Sequence, residues 1–364
     1  MLYKKHILES ESYRGGSTRK EGNKNIVKLS SNENPIGPSP KAMQAIKNNL
    51  ELLHEYTHQD DSKLREALAT HYSNTLTQDQ FICANSGLEI LDMICRAFLD
   101  PGLECIISTP TFLAYKNFAE LQGATVIDIP LDPDDFSLDT KKILDAVTEN
   151  TRIIFLSSPN NPTGSIIPKT AMDELIRHLP DDVVIVFDEV YRHFASDKNF
   201  VTAAEYADRD VNIIGLNSFS KAYGLAGMRI AYAYATAEIA AYINRFRRPF
   251  MINALSTAAA MAALKDTSHL LATQKMIRAE KRWLYDQLDD MQIHFWPSDS
   301  NFILLIPPYD NVEFANDMLD AGVMVRTTDV FGLPGCIRLS IGNHEANETC
   351  LKAMRQLISE KIIG

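Results

Sequence analysis

Lys221 stands close to two hydroxyls, Ser218 and Ser220, with Arg229 eight residues on, in the run NSFSKAYGLAGMR at 217–229. Hydroxyls and a guanidinium suit a phosphate, because both donate hydrogen bonds to its oxygens. A lysine amine beside them suits an aldehyde carried on the same small molecule. Gly224 and Gly227 let the backbone turn closely around such a ligand. Pyridoxal phosphate held as a Schiff base answers that description. A solvated loop lysine accounts for the segment alone equally well.

Other segments end in residues of matching chemistry. In FDEVY, Asp188 follows an apolar run, and a carboxylate there could keep a ring nitrogen protonated while Tyr191 bonds another ring substituent. Helix capping is the plain alternative. In SSPNNPTG, Asn161 precedes Pro162, which favours an extended or turn geometry with its amide turned into a cleft. In ANSGLEILDMICRAF a Ser86-Gly87 turn opens a helix, so the amides of Gly87 and Leu88 are first-turn donors suited to a phosphate. Phe112 of TPTFLAY could stack on a flat ring or fill the core. Arg326 and Arg338, near the ends of two late strands, could grip a carboxylate or phosphate; Arg338, in the apolar run CIRLSI, requires an anionic partner if buried.

Two patterns point elsewhere. His54-Glu55-Tyr56-Thr57-His58 fits the H-E-x-x-H spacing of zinc hydrolases, without a third ligand at useful spacing. Ser218 to Lys221 fits S-x-x-K of serine acyl-enzymes, whose partner motifs are missing.

The elements that must position these residues are those of an open α/β fold. The chain has 364 residues, a net charge of −11 and five cysteines. The acidic balance argues against nucleic acid as a partner. An odd set of cysteines in apolar runs favours reduced, buried thiols. No apolar run reaches the ~20 residues of a membrane span, and the N-terminus lacks a signal-peptide pattern, so a cytoplasmic protein is expected. Seven runs, FICA, ECIIST, ATVIDI, RIIFLSS, VVIVFDE, NIIGLNS and RIAYAY, are apolar on both faces and imply a mostly parallel sheet covered on both sides. The spacing predicts helices over 40–53 and roughly 268–290. An arm at 1–30, a large domain at 31–250 and a smaller α+β domain at 251–364 are expected. Arg245, Arg247 and Arg248 read as a helix cap or subunit contact.

In order and spacing, SSNENPIGPSP, SSPNNPTG, DEVY and SFSKAYGLAGMR resemble the fold-type I pyridoxal-phosphate aminotransferases, most closely the histidinol-phosphate aminotransferase branch. The resemblance implies a three-layer α/β/α large domain with a seven-stranded sheet, as in aspartate aminotransferase. It makes Lys221 the Schiff-base lysine and proton shuttle, and Asp188 the partner of the pyridinium. Tyr191 and Asn161 would hold the ring oxygen, with Phe112 stacked on the ring. Gly87, Leu88, Ser218, Ser220 and Arg229 would grip the cofactor phosphate, joined by Tyr56 from the other subunit of a homodimer. Arg338, assisted by Arg326 and Asn161, would bind the substrate. The implied reaction is a ping-pong transfer between histidinol phosphate and 2-oxoglutarate in histidine biosynthesis. An aromatic amino-acid aminotransferase and a decarboxylase of a phosphorylated amino acid share the pattern. Phe112 stands where the family more often has tyrosine, Leu88 where it has an acid, and Thr57-His58 where it has Pro-Asp.

Overall fold

The computed structural model describes residues 3–10, 26–57, 61–73, 75–206 and 211–363. More than half of the expected arm, residues 1–2 and 11–25, lies outside them. Seven strands form one sheet in the order Phe81–Ala84, Ala231–Tyr234, Ile213–Ser218, Val184–Asp188, Thr151–Ser157, Glu104–Ile107, Thr125–Asp128. Ala231–Tyr234 runs antiparallel to both neighbours, and the other pairings are parallel.

Alternation along the strands splits the apolar side chains between two cores. Ile154, Leu156, Ile185 and Phe187 enter one. Ile153, Phe155, Val184 and Val186 enter the other. A sheet buried on both faces needs this near-continuous apolar sequence. Helices supply the covers. Gly87–Phe98 buries Ile90, Leu91, Met93, Ile94 and Cys95 along one stripe.

The later chain builds a second core. Arg326–Thr327, Ile337–Ser340, Phe302–Leu305 and Phe295–Trp296 form an antiparallel sheet, packed with the helices Thr267–Asp290, Asn311–Asp320 and His344–Ile363. The strand Val27–Lys28 pairs in parallel with Val323–Met324. Early chain therefore runs from the second core towards the large sheet, and Leu29 and Tyr191 share that second core.

The helix expected over 40–53 is shorter than its apolar spacing suggests. An α-helix Pro40–Lys47 is followed by a 3-10 turn Leu50–His54. Asn49 Nδ2 donates back to the Ala45 carbonyl at 2.8 Å, a side-chain bond that competes with helical continuation. All five cysteines are buried and free. No helix among the described residues is long and apolar enough to cross a membrane.

Candidate active site

The polar residues at the ends of the parallel strands open on a cavity of about 350 Å³. Ser157 and Asp188 are register partners at the ends of adjacent strands, and Ser218 closes the next. The edge of strand ends is where ligands bind in open α/β sheets. The same cavity receives Gly87, Leu88, Phe112, Asn161, Tyr191, Ser220, Lys221, Arg229, Arg326 and Arg338. One pocket thus gathers every residue that the sequence singled out for the cofactor or substrate except Tyr56.

Asp188 is buried, and Tyr115 Oη donates to its Oδ2 at 2.7 Å while the Val190 amide donates to Oδ1 at 3.2 Å. Burial raises its carboxyl to about 6, because the charged form has lost its hydration. Among the described residues no cation forms a salt bridge with it. A protonated ring nitrogen would supply that missing charge, and this makes the pocket fit pyridoxal phosphate.

Lys221 Nζ donates to the Ser31 carbonyl at 3.2 Å and lies 5.4 Å from the centre of the Tyr191 ring. The turn carrying it is closed tightly. Gly224 has φ +68°, and a Cβ there would sit 2.2 Å from the Gly37 carbonyl oxygen, so only glycine fits. At Gly227 a Cβ would meet no atom of the chain within 4 Å.

The phosphate-type donors come from three elements. Ser218 Oγ accepts from the Ser220 amide at 3.0 Å, which leaves its own proton to donate. Ser86 Oγ caps the Glu89 amide at 3.2 Å, and the Gly87 and Leu88 amides ahead of it have no preceding turn to bond. Arg229 adopts a left-handed backbone (φ 51°), and its Nη1 holds the Ala226 carbonyl at 3.1 Å.

At the opposite wall Arg338 donates through Nη1 to Asn161 Oδ1 and through Nη2 to the Ser30 carbonyl at 2.8 Å. Asn161 thereby has its oxygen engaged and its amide N–H groups left for other acceptors. Arg326 is the register partner of Arg338 on the neighbouring strand, so two guanidiniums lie side by side. Five basic side chains, Lys28, Lys221, Arg229, Arg326 and Arg338, face this cavity against two acids, Glu33 and Asp188. A chain of net charge −11 has thus concentrated positive charge in one concavity, which attracts anions.

Some expected residues lie elsewhere. Tyr56 is 87% exposed, lies against Phe250 at 4.9 Å between ring centres, and lines a separate cleft of about 500 Å³. The zinc-type pattern around it is not a helix: the turn ends at His54, Glu55 is extended, and His58 lies outside the described residues. Arg245 caps the helix Ala237–Asn244, and Arg247 pairs with Asp61 at 2.9 Å. Tyr115, Ser31 and Asn32 are the residues that sequence reading missed. Tyr115 lies in the run TPTFLAY, and Ser31 and Asn32 lie in SSNENPIGPSP, whose polar side chains carry no spacing that singles out any one of them.

The chain is similar to known proteins over nearly its whole length. The family described as aminotransferase class I and II matches residues 24–354. The histidinol-phosphate aminotransferase of Moorella thermoacetica is 36% identical over 342 residues, 94% of this chain and 88% of the relative. That of Akkermansia muciniphila is 33% identical over 97% of this chain and 98% of its own. The crystal structure of the Sinorhizobium meliloti histidinol-phosphate aminotransferase, in complex with pyridoxal-5'-phosphate, superposes with a TM-score of 0.86 at 25% identity, covering 98% of each chain. A Thermus thermophilus aspartate aminotransferase matches in fold, with a TM-score of 0.80 at 24% identity over 92% of this chain and 91% of that one. The chain belongs to the class I and II aminotransferase family. The transaminase class and the aspartate-aminotransferase-like fold expected from the sequence stand with that membership.

Proposed function

We propose that this protein is a pyridoxal-phosphate-dependent aminotransferase that moves an amino group from histidinol phosphate to 2-oxoglutarate by a ping-pong route. The observation that carries the reading is the pairing, in one cavity, of a buried carboxylate and a lysine with two adjacent arginines. The relatives named for that reaction, similar over nearly the whole chain, support it.

Bound pyridoxal phosphate supplies an electron sink for the carbanion at the substrate α-carbon. Asp188 would hold a proton on the ring nitrogen. Tyr191 and Asn161 would donate to the ring oxygen, and Phe112 would stack on the ring. The Gly87 and Leu88 amides, Ser218, Ser220 and Arg229 hold the cofactor phosphate. Lys221 anchors the cofactor and then carries the substrate α-proton on Nζ. Arg338 binds the anionic end of each substrate, and Arg326 beside it suits the second charge of a phosphate.

The exposure of Tyr56 supports a homodimer in which it completes the partner's phosphate site. Residues 31–250 act as the cofactor domain and 251–364 as the smaller domain, except that Ile252 and the helix Ala254–Leu264 pack into the large domain's core, in a cytoplasmic protein. Turnover of histidinol phosphate and of phenylalanine, each with 2-oxoglutarate, tests the reading. Histidinol phosphate should be the better donor by a wide margin. Faster turnover of phenylalanine would instead indicate an aromatic amino-acid aminotransferase, and indifference to both rejects the assignment.

A further inference from the structure

We infer that Asn32 is a positioning residue that sets the direction in which the Tyr191 hydroxyl donates, and that it ties this direction to the strand carrying Arg338. The hydrogen bonds around Asn32 read in one direction. Its backbone N–H donates to Ser340 Oγ at 2.8 Å, so the single proton of Ser340 falls on Asn32 Oδ1, also at 2.8 Å. The amide nitrogen is thereby turned to Tyr191, donating to Oη at 2.9 Å. A phenol oxygen that accepts one bond keeps its own proton for another acceptor. For Tyr191 that proton faces the cavity, and accepting from Asn32 makes it a stronger donor.

The site is built to hold this geometry. Asn32 is 1% exposed and Ser340 3%. Asn32 adopts φ 54°, a left-handed conformation that asparagine tolerates better than most residues. Asn301 Nδ2 fixes its carbonyl at 3.0 Å. Ser340 lies two residues from Arg338 on the strand Ile337–Ser340, hence on the same face of the small sheet. One strand therefore carries the substrate-facing guanidinium and, through Asn32, the orientation of the phenol. Lys221, Asp188 and Tyr115 are titratable groups near that phenol, and none is altered by changing Asn32.

The inference rests on the proposed cofactor, and its test separates the two. A bond donated to the ring oxygen stabilises negative charge there most when the nitrogen linked to Lys221 has lost its proton. Losing the donor therefore moves the pH midpoint of the bound cofactor's visible absorption upwards. Asn32→Gly removes the side chain and suits the left-handed backbone; Asn32→Ala is the second variant. Each should take up pyridoxal phosphate and shift the midpoint up by about one pH unit, the size of one hydrogen bond to a charged group. Tyr191→Phe should shift it the same way, and Asn32→Gly should add nothing in that background. A midpoint that stays put in Asn32→Gly while Tyr191→Phe moves it overturns the inference, as does an equal shift by Asn32→Gly in both backgrounds. Absence of any cofactor absorption in the unsubstituted protein overturns the functional reading, and this one with it.

Discussion

In the proposed reaction Asp188 and Lys221 carry most of the chemistry, and each makes a distinct prediction. The folded-state pKa of Asp188 lies at about 6, above the ordinary value of about 4. Between those values the folded, cofactor-free chain binds a proton that the unfolded chain releases. Stability of the cofactor-free protein should therefore fall as pH rises through that window, by about 3 kcal/mol from this group. Chemical denaturation from pH 4 to pH 7 should show that fall, and Asp188→Asn should flatten it. An identical slope in the variant would contradict the burial argument. Lys221→Ala should abolish transamination while leaving the fold intact, read by activity and by thermal unfolding; residual turnover within tenfold of the parent would remove the lysine from the reaction. These two residues were legible because their neighbours in sequence announce them: an apolar strand before Asp188, hydroxyls and an arginine around Lys221. Tyr115 was not. An aromatic on an amphipathic helix is ordinary core, and only a fold that brings it to Asp188, 73 residues away, reveals its hydroxyl as a partner.

At the scale of elements, six of the seven strands were readable because a sheet covered on both faces demands apolar runs with few alternatives; the edge strand Thr125–Asp128 is only part-buried. The contacts between elements were not. Thr267–Asp290 buries Thr273, Ile277, Lys281, Leu284 and Leu288 in one stripe, and a lysine there runs against the pattern. Its ammonium is held by the carbonyls of Ser298 and Ser300, and burial lowers it to about 8. The loop it holds is packed against Gly164 of the Asn161 segment. Gly164 has φ +78°, and a Cβ there would lie 2.2 Å from Ser298 Oγ and 3.0 Å from Ser298 Cα. Gly164→Ala should destabilise the protein by about 1–3 kcal/mol, measured by denaturant unfolding. An alanine variant of parental stability would show that the loop yields freely.

For the whole molecule, a chain of net charge −11 holds a cavity lined mainly by basic side chains, and early chain, large sheet and small sheet all contribute to that cavity's wall. Tyr56 is the part that one chain leaves outside it. In a two-fold dimer with shared sites, mixing inactive Lys221→Ala with impaired Tyr56→Ala subunits should restore activity. Half of randomly assorted dimers would hold one intact site, giving about a quarter of parental turnover. Activity no greater than the sum of the separate variants would place Tyr56 in its own subunit or outside the reaction. The central claim, a lysine-anchored pyridoxal phosphate that takes the amino group from histidinol phosphate, is tested most directly by one absorption experiment. The protein is loaded with pyridoxal phosphate and mixed with histidinol phosphate, with no oxo acid present. The visible absorption should be lost in proportion to the number of sites and return on adding 2-oxoglutarate. A loaded protein whose spectrum histidinol phosphate leaves unchanged would contradict the account.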